Sequence, residues 1–171
     1  MSEKTYNVLV LCTGNSARSI LGEVLFNELG KGKFKAYSAG SHPAGKVNPG
    51  ALEWLQKQGY STAGLRSKSW DEFAAPGAPE FDFIFTVCDK AAGEACPLWL
   101  GYPATAHWGI PDPAHVEGDE ARRAAFNKTA EQLARRIQLF LCLPIEKMDK
   151  LILKEKLAEI GRIQDDSAVR N

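Results

Sequence analysis

The chain carries no net charge: 21 lysines and arginines balance 21 aspartates and glutamates over 171 residues. No basic stripe runs along it, which tells against nucleic acid or an anionic membrane as partner. Long apolar runs are missing too. No stretch of about 18 apolar residues occurs, and the opening Ser2-Glu3-Lys4 is polar, so neither a spanning helix nor a secretory leader is expected. The expectation is a soluble, cytoplasmic protein. Cysteine is scarce, with four in the chain, and four are too few for a disulfide scaffold in a reducing compartment. No C-x₂-C pair exists and the three histidines are scattered, which leaves a zinc site without support. What is present is one domain's length of chain, 44% hydrophobic, enough for a proper core.

The apolar pattern alternates between two kinds of element. Asn7 to Leu11 is a near-continuous apolar run, as in a strand buried on both faces. Ile20, Leu21, Val24, Leu25 and Leu29 then follow helical spacing, with Gly30 as a stop. Phe34 to Ser38 reads as a second strand. Asn48-Pro49 reads as an N-cap followed by proline at the first helical position, and Gly59 closes that helix. Ser69 to Glu72 fits a capping box. Phe81 to Val87 and the weaker Ala104 to Trp108 read as the third and fourth strands. A proline-rich loop leads to a long helix from about Glu120 to Cys142, and a last amphipathic helix ends at Gly161. Strands alternating with helices predict an α/β domain with a four-stranded parallel sheet flanked by helices. The expected division is residues 1–143 as the catalytic domain, 144–161 as a C-terminal helix packed on it, and 162–171 as a polar tail.

Ligands of such sheets lie beyond the carboxyl ends of the strands. Cys12, Cys88 and the loop after Trp108 all fall there. The segment Cys12-Thr13-Gly14-Asn15-Ser16-Ala17-Arg18-Ser19 has the makings of an anion cradle. Its side chains are small, so backbone N–H groups from Thr13 to Arg18 can ring an oxyanion. Gly14 and Asn15 are the types that tolerate positive φ. The following helix presents its positive end, and Arg18 can clamp two oxygens. These charges are expected to lower the Cys12 pKa and make it the nucleophile, with Ser19 donating to its sulfur. Without that context, Cys12 reads simply as the buried end of a strand. Asp112, stiffened by Pro111 and Pro113, has the chemistry of a proton donor, or of a plain turn aspartate. Cys88 and Cys96 suggest redox chemistry at the anion, or else two small buried hydrophobes; Cys142, on the apolar face of the long helix, gets only the buried reading.

The loop V-L-C-T-G-N-S-A-R-S, the segment Ser38-Ala39-Gly40 and the turn Pro111-Asp112-Pro113 resemble the low-molecular-weight protein tyrosine phosphatases, and more closely the arsenate reductases that share their fold. The resemblance spans about residues 6 to 142. It implies a thiol relay: Cys12 attacks arsenate, Cys88 attacks Cys12 and releases arsenite, and Cys96 carries the oxidation outward as a Cys88–Cys96 disulfide. It implies no organic cofactor, only an external thiol reductant, thioredoxin first and glutathione with glutaredoxin second. Some reductases of the family bind potassium near this loop, and Asn15, Glu23, Ser38 and Asp71 stand at positions that match such a site. Read without the resemblance, these four are a cap, an exposed helix acid, a turn serine and a capping-box acid.

The chain also departs from the family. Ala17 stands where many members carry a second loop cysteine. Ala114, His115 and Val116 follow the acid turn where phosphotyrosine enzymes carry aromatics, leaving Trp99, Tyr102 or Trp108 to form a rim. The Cys88–Cys96 interval is one residue longer than in thioredoxin-coupled members. Two other readings stay open: a phosphatase hydrolysing phosphate monoesters, and a non-catalytic oxyanion sensor. His42, His107 and His115 have no partner by spacing. The last helix interleaves Lys147, Lys150, Lys154 and Lys156 with acids and so suits packing on the domain, a dimer or a reductant partner better than a membrane.

Overall fold

The computed structural model describes residues 5–88 and 104–163. Four parallel strands form one sheet in the order β2-β1-β3-β4. They are β1 (Tyr6–Leu11), β2 (Phe34–Ala39), β3 (Phe83–Thr86) and β4 (Ala104–His107). The helices are α1 (Arg18–Gly30), α2 (Pro49–Lys57), α3 (Asp119–Leu141) and α4 (Lys150–Gly161). The sheet and its flanking helices are those expected, with boundaries shifted by one or two residues.

Strand β1 lies at the centre and is sealed on both faces, which is why it reads as unbroken apolar sequence. Val8 and Val10 join the main core with Ile20, Leu21, Phe26, Phe85, Trp108 and Phe140. Leu9 and Leu11 face the other way, with Ala39 and Ile84, under Tyr37, Trp70, Phe73 and Phe81. The main core is aromatic: Phe85 and Trp108 have ring centroids 4.0 Å apart, and Phe26 stacks on Phe85 at 5.5 Å. Burying rings of this size dominates the stability of a domain this small.

Parallel register aligns the strand ends. Leu11 pairs with Ala39 on one side and Thr86 on the other, and Thr86 pairs with His107. Cys12, Gly40, Cys88 and Trp108 therefore emerge at one edge. Helix α4 docks on that edge beside β4. The Trp108 Nε1–H donates to Leu157 O at 3.0 Å, and Gly161 lies so close that a Cβ there would stand 2.4 Å from His107 O.

Two local expectations, the capping box at Ser69 and the burial of Cys142, need correction. Ser69 caps only a 3₁₀ turn, Trp70–Phe73, through Asp71 N; Glu72 does not complete a capping box because Arg66 holds its carboxylate at 2.6 and 2.9 Å. Helix α1 ends at Gly30 as expected, and the left-handed residues Lys31 and Gly32 follow it at φ 42° and 85°. Cys142 is exposed, because it caps the C-terminus of α3 and its side chain has left the buried face.

Candidate active site

The loop between β1 and α1 runs from Cys12 to Ala17. Asn15 is its pivot. It is fully buried with φ 46°, and its side chain binds in two directions: Nδ2 donates to Ser19 Oγ at 2.8 Å and Oδ1 accepts from Lys68 N at 2.9 Å. Asparagine is the non-glycine type best suited to this backbone. Of the two residues suited to the loop's one left-handed position, Asn15 takes it and Gly14 does not. Gly14 O accepts from Ser67 Oγ and from Ala44 N, while Thr13 O accepts from His42 N and Ser16 O from Asn48 N. With these carbonyls tied back, the opposite side of the loop is left to its amides.

Gly40 makes this bracing fit. A Cβ at that position would stand 2.4 Å from Thr13 O and 2.6 Å from Cys12 O. The glycine of Ser38-Ala39-Gly40 is thus demanded by the close approach of two backbones.

Helix α1 opens without a cap. Ala17 offers no side-chain bond to the first turn, and the first turn holds no acid. The first N–H groups of such a helix have no intrahelical partner and favour an anion. Ser19 is fully buried and accepts from Asn15, which leaves its own proton for another acceptor.

Arg18 reaches across to the acid turn. Its Nη1 donates to Ile110 O at 2.9 Å, and Nη2 lies 3.5 Å from Asp112 Oδ2. The other oxygen of Asp112 accepts from Ala114 N at 2.9 Å, so the carboxylate is held at both ends. Arg136 was not anticipated. It is buried in α3 and donates to Gly109 O and Ile163 O, both at 3.1 Å, securing the start of the acid loop.

Cys88 is buried directly against the loop. Thr13 N donates to its sulfur at 3.3 Å, and Thr13 Oγ1 lies 3.5 Å from it. The Cys12 thiol also hydrogen-bonds to Cys88, and this contact together with burial drives Cys12 well above its ordinary value. Arg18 and the Gly14 N–H pull the other way and are outweighed. The expected lowering of the Cys12 pKa is therefore overturned for this conformation. Two thiols in contact ionise as a pair, and a second charge beside the first is opposed. Cys96 lies outside the described residues, as do Trp99 and Tyr102.

These elements line a cleft of about 590 Å³ with Thr13, Arg18, Cys88, His107, Ile110 and Gly161 on its walls. His107 and Gly161 are additions that spacing did not reveal. His107 Nδ1 is 2.8 Å from Thr86 Oγ1, its partner across the sheet.

The four residues matched to a potassium site do not fit an added ion. Glu23 already accepts from Ser38 Oγ at 2.5 Å and has the Lys68 ammonium 3.8 Å away. Asp71 is exposed in the 3₁₀ turn. A second cation at Glu23 would be set against an ammonium group.

A family model for low molecular weight phosphotyrosine protein phosphatase matches residues 7–155. An arsenate reductase of Halalkalibacterium halodurans is 33% identical over 134 residues, covering 78% of this chain and 93% of that protein. The crystal structure of an arsenate reductase from Archaeoglobus fulgidus aligns with TM-score 0.58 at 29% identity, over 77% of this chain and 98% of its own. A thioredoxin-dependent arsenate reductase of Corynebacterium glutamicum shares the fold with TM-score 0.53 at 23% identity, over 81% and 65% of the two chains.

Proposed function

Since the chain belongs to the low molecular weight phosphotyrosine protein phosphatase family and has arsenate reductases among its relatives, we propose that it reduces arsenate to arsenite through a thiol relay. One observation carries the choice over plain phosphatase chemistry: a second thiol, Cys88, is packed against both Thr13 and Cys12. Ester hydrolysis has no use for a sulfur there; disulfide formation requires one.

Arsenate enters the loop against the amides of residues 14 to 18, with the Arg18 guanidinium clamping its oxygens. The Cys12 thiol gives its proton to an arsenate oxygen and its sulfur attacks arsenic. An S–As bond forms and one oxygen leaves as water, taking its proton from Asp112. Ser19 donates to the Cys12 sulfur and steadies it. Cys88 then attacks the Cys12 sulfur. The S–As electron pair stays on arsenic, which falls from the pentavalent to the trivalent state and leaves as arsenite. Cys96 attacks Cys88, Cys12 is released, and the Cys88–Cys96 disulfide awaits an external thiol reductant. Thioredoxin is the first candidate for that reductant and glutaredoxin with glutathione the second. A relay reset this way suits a reducing compartment, the cytoplasm. Among the described residues no helix is long and apolar enough to cross a membrane.

With Cys88 alongside, only one negative charge is favoured on the pair, and the relay needs one attacking sulfur at a time. The same Cys12, Arg18 and Asp112 can also support slow hydrolysis of phosphate monoesters.

The test is incubation with arsenate and no reductant, followed by disulfide mapping. One equivalent of arsenite with a Cys88–Cys96 bridge is expected. Four unmodified thiols beside hydrolysis of an aryl phosphate would overturn the reductase reading and leave the phosphatase.

A further inference from the structure

Behind the anion loop lies a largely buried polar cluster, of which the relay uses only Ser19 and the Asn15 amide. Asn15 joins Ser19 to the backbone of Lys68. One turn along α1 from Ser19, Glu23 accepts from Ser38. The i, i+4 spacing puts Ser19 and Glu23 on one face of the helix. Lys68 closes the ring. Its side chain is 8% exposed, its Nζ donates to Arg66 O at 3.0 Å, and it stands 3.8 Å from Glu23 Oε1.

A lysine this deep is costly to charge, and burial pulls its ammonium below the ordinary value while Glu23 pulls it back. Glu23, itself partly buried, would be an uncompensated acid without it. The same residue that supplies this charge supplies the N–H that holds Asn15, the pivot of the loop. Charge balance and loop geometry therefore meet in one residue, the first through its ammonium and the second through its backbone N–H.

We propose that the Lys68 ammonium is the resident cation of this cluster, occupying the role an alkali-metal ion would otherwise fill, and that it acts as a positioning residue for the anion loop. The consequence is a protein whose loop keeps its shape without potassium. This holds whether the loop takes arsenate or a phosphate ester.

The experiment uses the full chain in KCl, NaCl and choline chloride at equal ionic strength. Thermal midpoint and binding of inorganic phosphate by calorimetry are the readouts. Wild type is expected to be indifferent to the cation. Lys68→Met in choline chloride should lose stability and bind phosphate about tenfold more weakly, with KCl restoring both. Lys68→Arg, which keeps the charge, should recover much of the loss. Where Lys68→Met does not fold, adding Glu23→Gln should restore folding, since no buried charge then lacks a partner. Saturable stabilisation of wild type by potassium over choline would overturn the proposal. So would Lys68→Met matching wild type in choline chloride. A loss relieved neither by potassium nor by Glu23→Gln would also overturn it, because the lysine would then act by packing.

Discussion

The backbone N–H of Thr13 points at Cys88 Sγ across 3.3 Å, tying the second residue of the anion loop to the end of a different strand. The contact follows from register: β1 and β3 are paired through Leu11 and Thr86, so Cys12 and Cys88 leave the sheet side by side. Any chemistry at Cys12 is therefore felt by Cys88.

Replacing Cys88 by alanine removes the group that raises Cys12 most, while Arg18 and the Gly14 amide remain. The midpoint of Cys12 alkylation by iodoacetamide should shift to lower pH in Cys88→Ala than in wild type. Mass-spectrometric labelling across a pH series measures this. An unchanged midpoint would show that Cys88 does not govern the ionisation of Cys12.

Cys88→Ser separates the two chemistries of the loop. Arsenite turnover should vanish, because no disulfide can form with Cys12, while slow hydrolysis of an aryl phosphate survives. Turnover equal to wild type in a coupled arsenite assay would refute the relay.

Asp112 accepts from Ala114 N and faces Arg18, and asparagine keeps its shape and an oxygen for Ala114 N. Asp112→Asn should slow aryl phosphate hydrolysis by about 10²-fold, the usual scale for loss of a general acid. A leaving group that needs no proton should react at nearly the wild-type rate. Equal slowing of both esters would remove Asp112 from the proton-donor role.

Gly40→Ala sets a methyl group into the backbone of Thr13 and Cys12. Overpacking at such a site costs about 1–3 kcal/mol. Urea unfolding should report that loss, and phosphate binding should weaken with it. Full binding in a destabilised variant would mean that the loop tolerates the displacement.

Arg136→Met leaves the carbonyls of Gly109 and Ile163 without their buried donor, at a cost of about 1–3 kcal/mol. Because Gly109 begins the acid loop, ester hydrolysis should fall as well. Chemical denaturation and rate measurements at one temperature test both effects.

Much of this architecture is legible in the chain because local rules and tertiary demands agree. The run Asn7 to Leu11 is apolar at successive positions because both faces of β1 are covered. Asn48 accepts from Gly50 N at 2.8 Å with Pro49 at the first helical position, as its dipeptide implies. The loop Cys12 to Arg18 is visible because its small residues, helix start and arginine lie in one short stretch. What escaped reading is what depends on distant chain. Lys68, Arg136, His107 and Gly161 carry no local signature; each matters through a partner 20 or more positions away. The Cys12 pKa was misjudged for the same reason. Its loop charges are near in sequence, whereas the thiol that outweighs them is 75 residues on. Asn15 rather than Gly14 takes the left-handed turn because only the asparagine side chain can also bridge Ser19 and Lys68.

The tight seat of Gly161 against His107 and Trp108 has a temporal consequence. The ribosome delivers Thr13 and Arg18 of the anion loop early and this helix end late, yet both line one cleft. A nascent chain thus holds its reactive sulfur before the wall opposite exists, and competence arrives in a single late docking step. Bulk placed at residue 161 would stall that step and leave a folded sheet with an unfinished mouth.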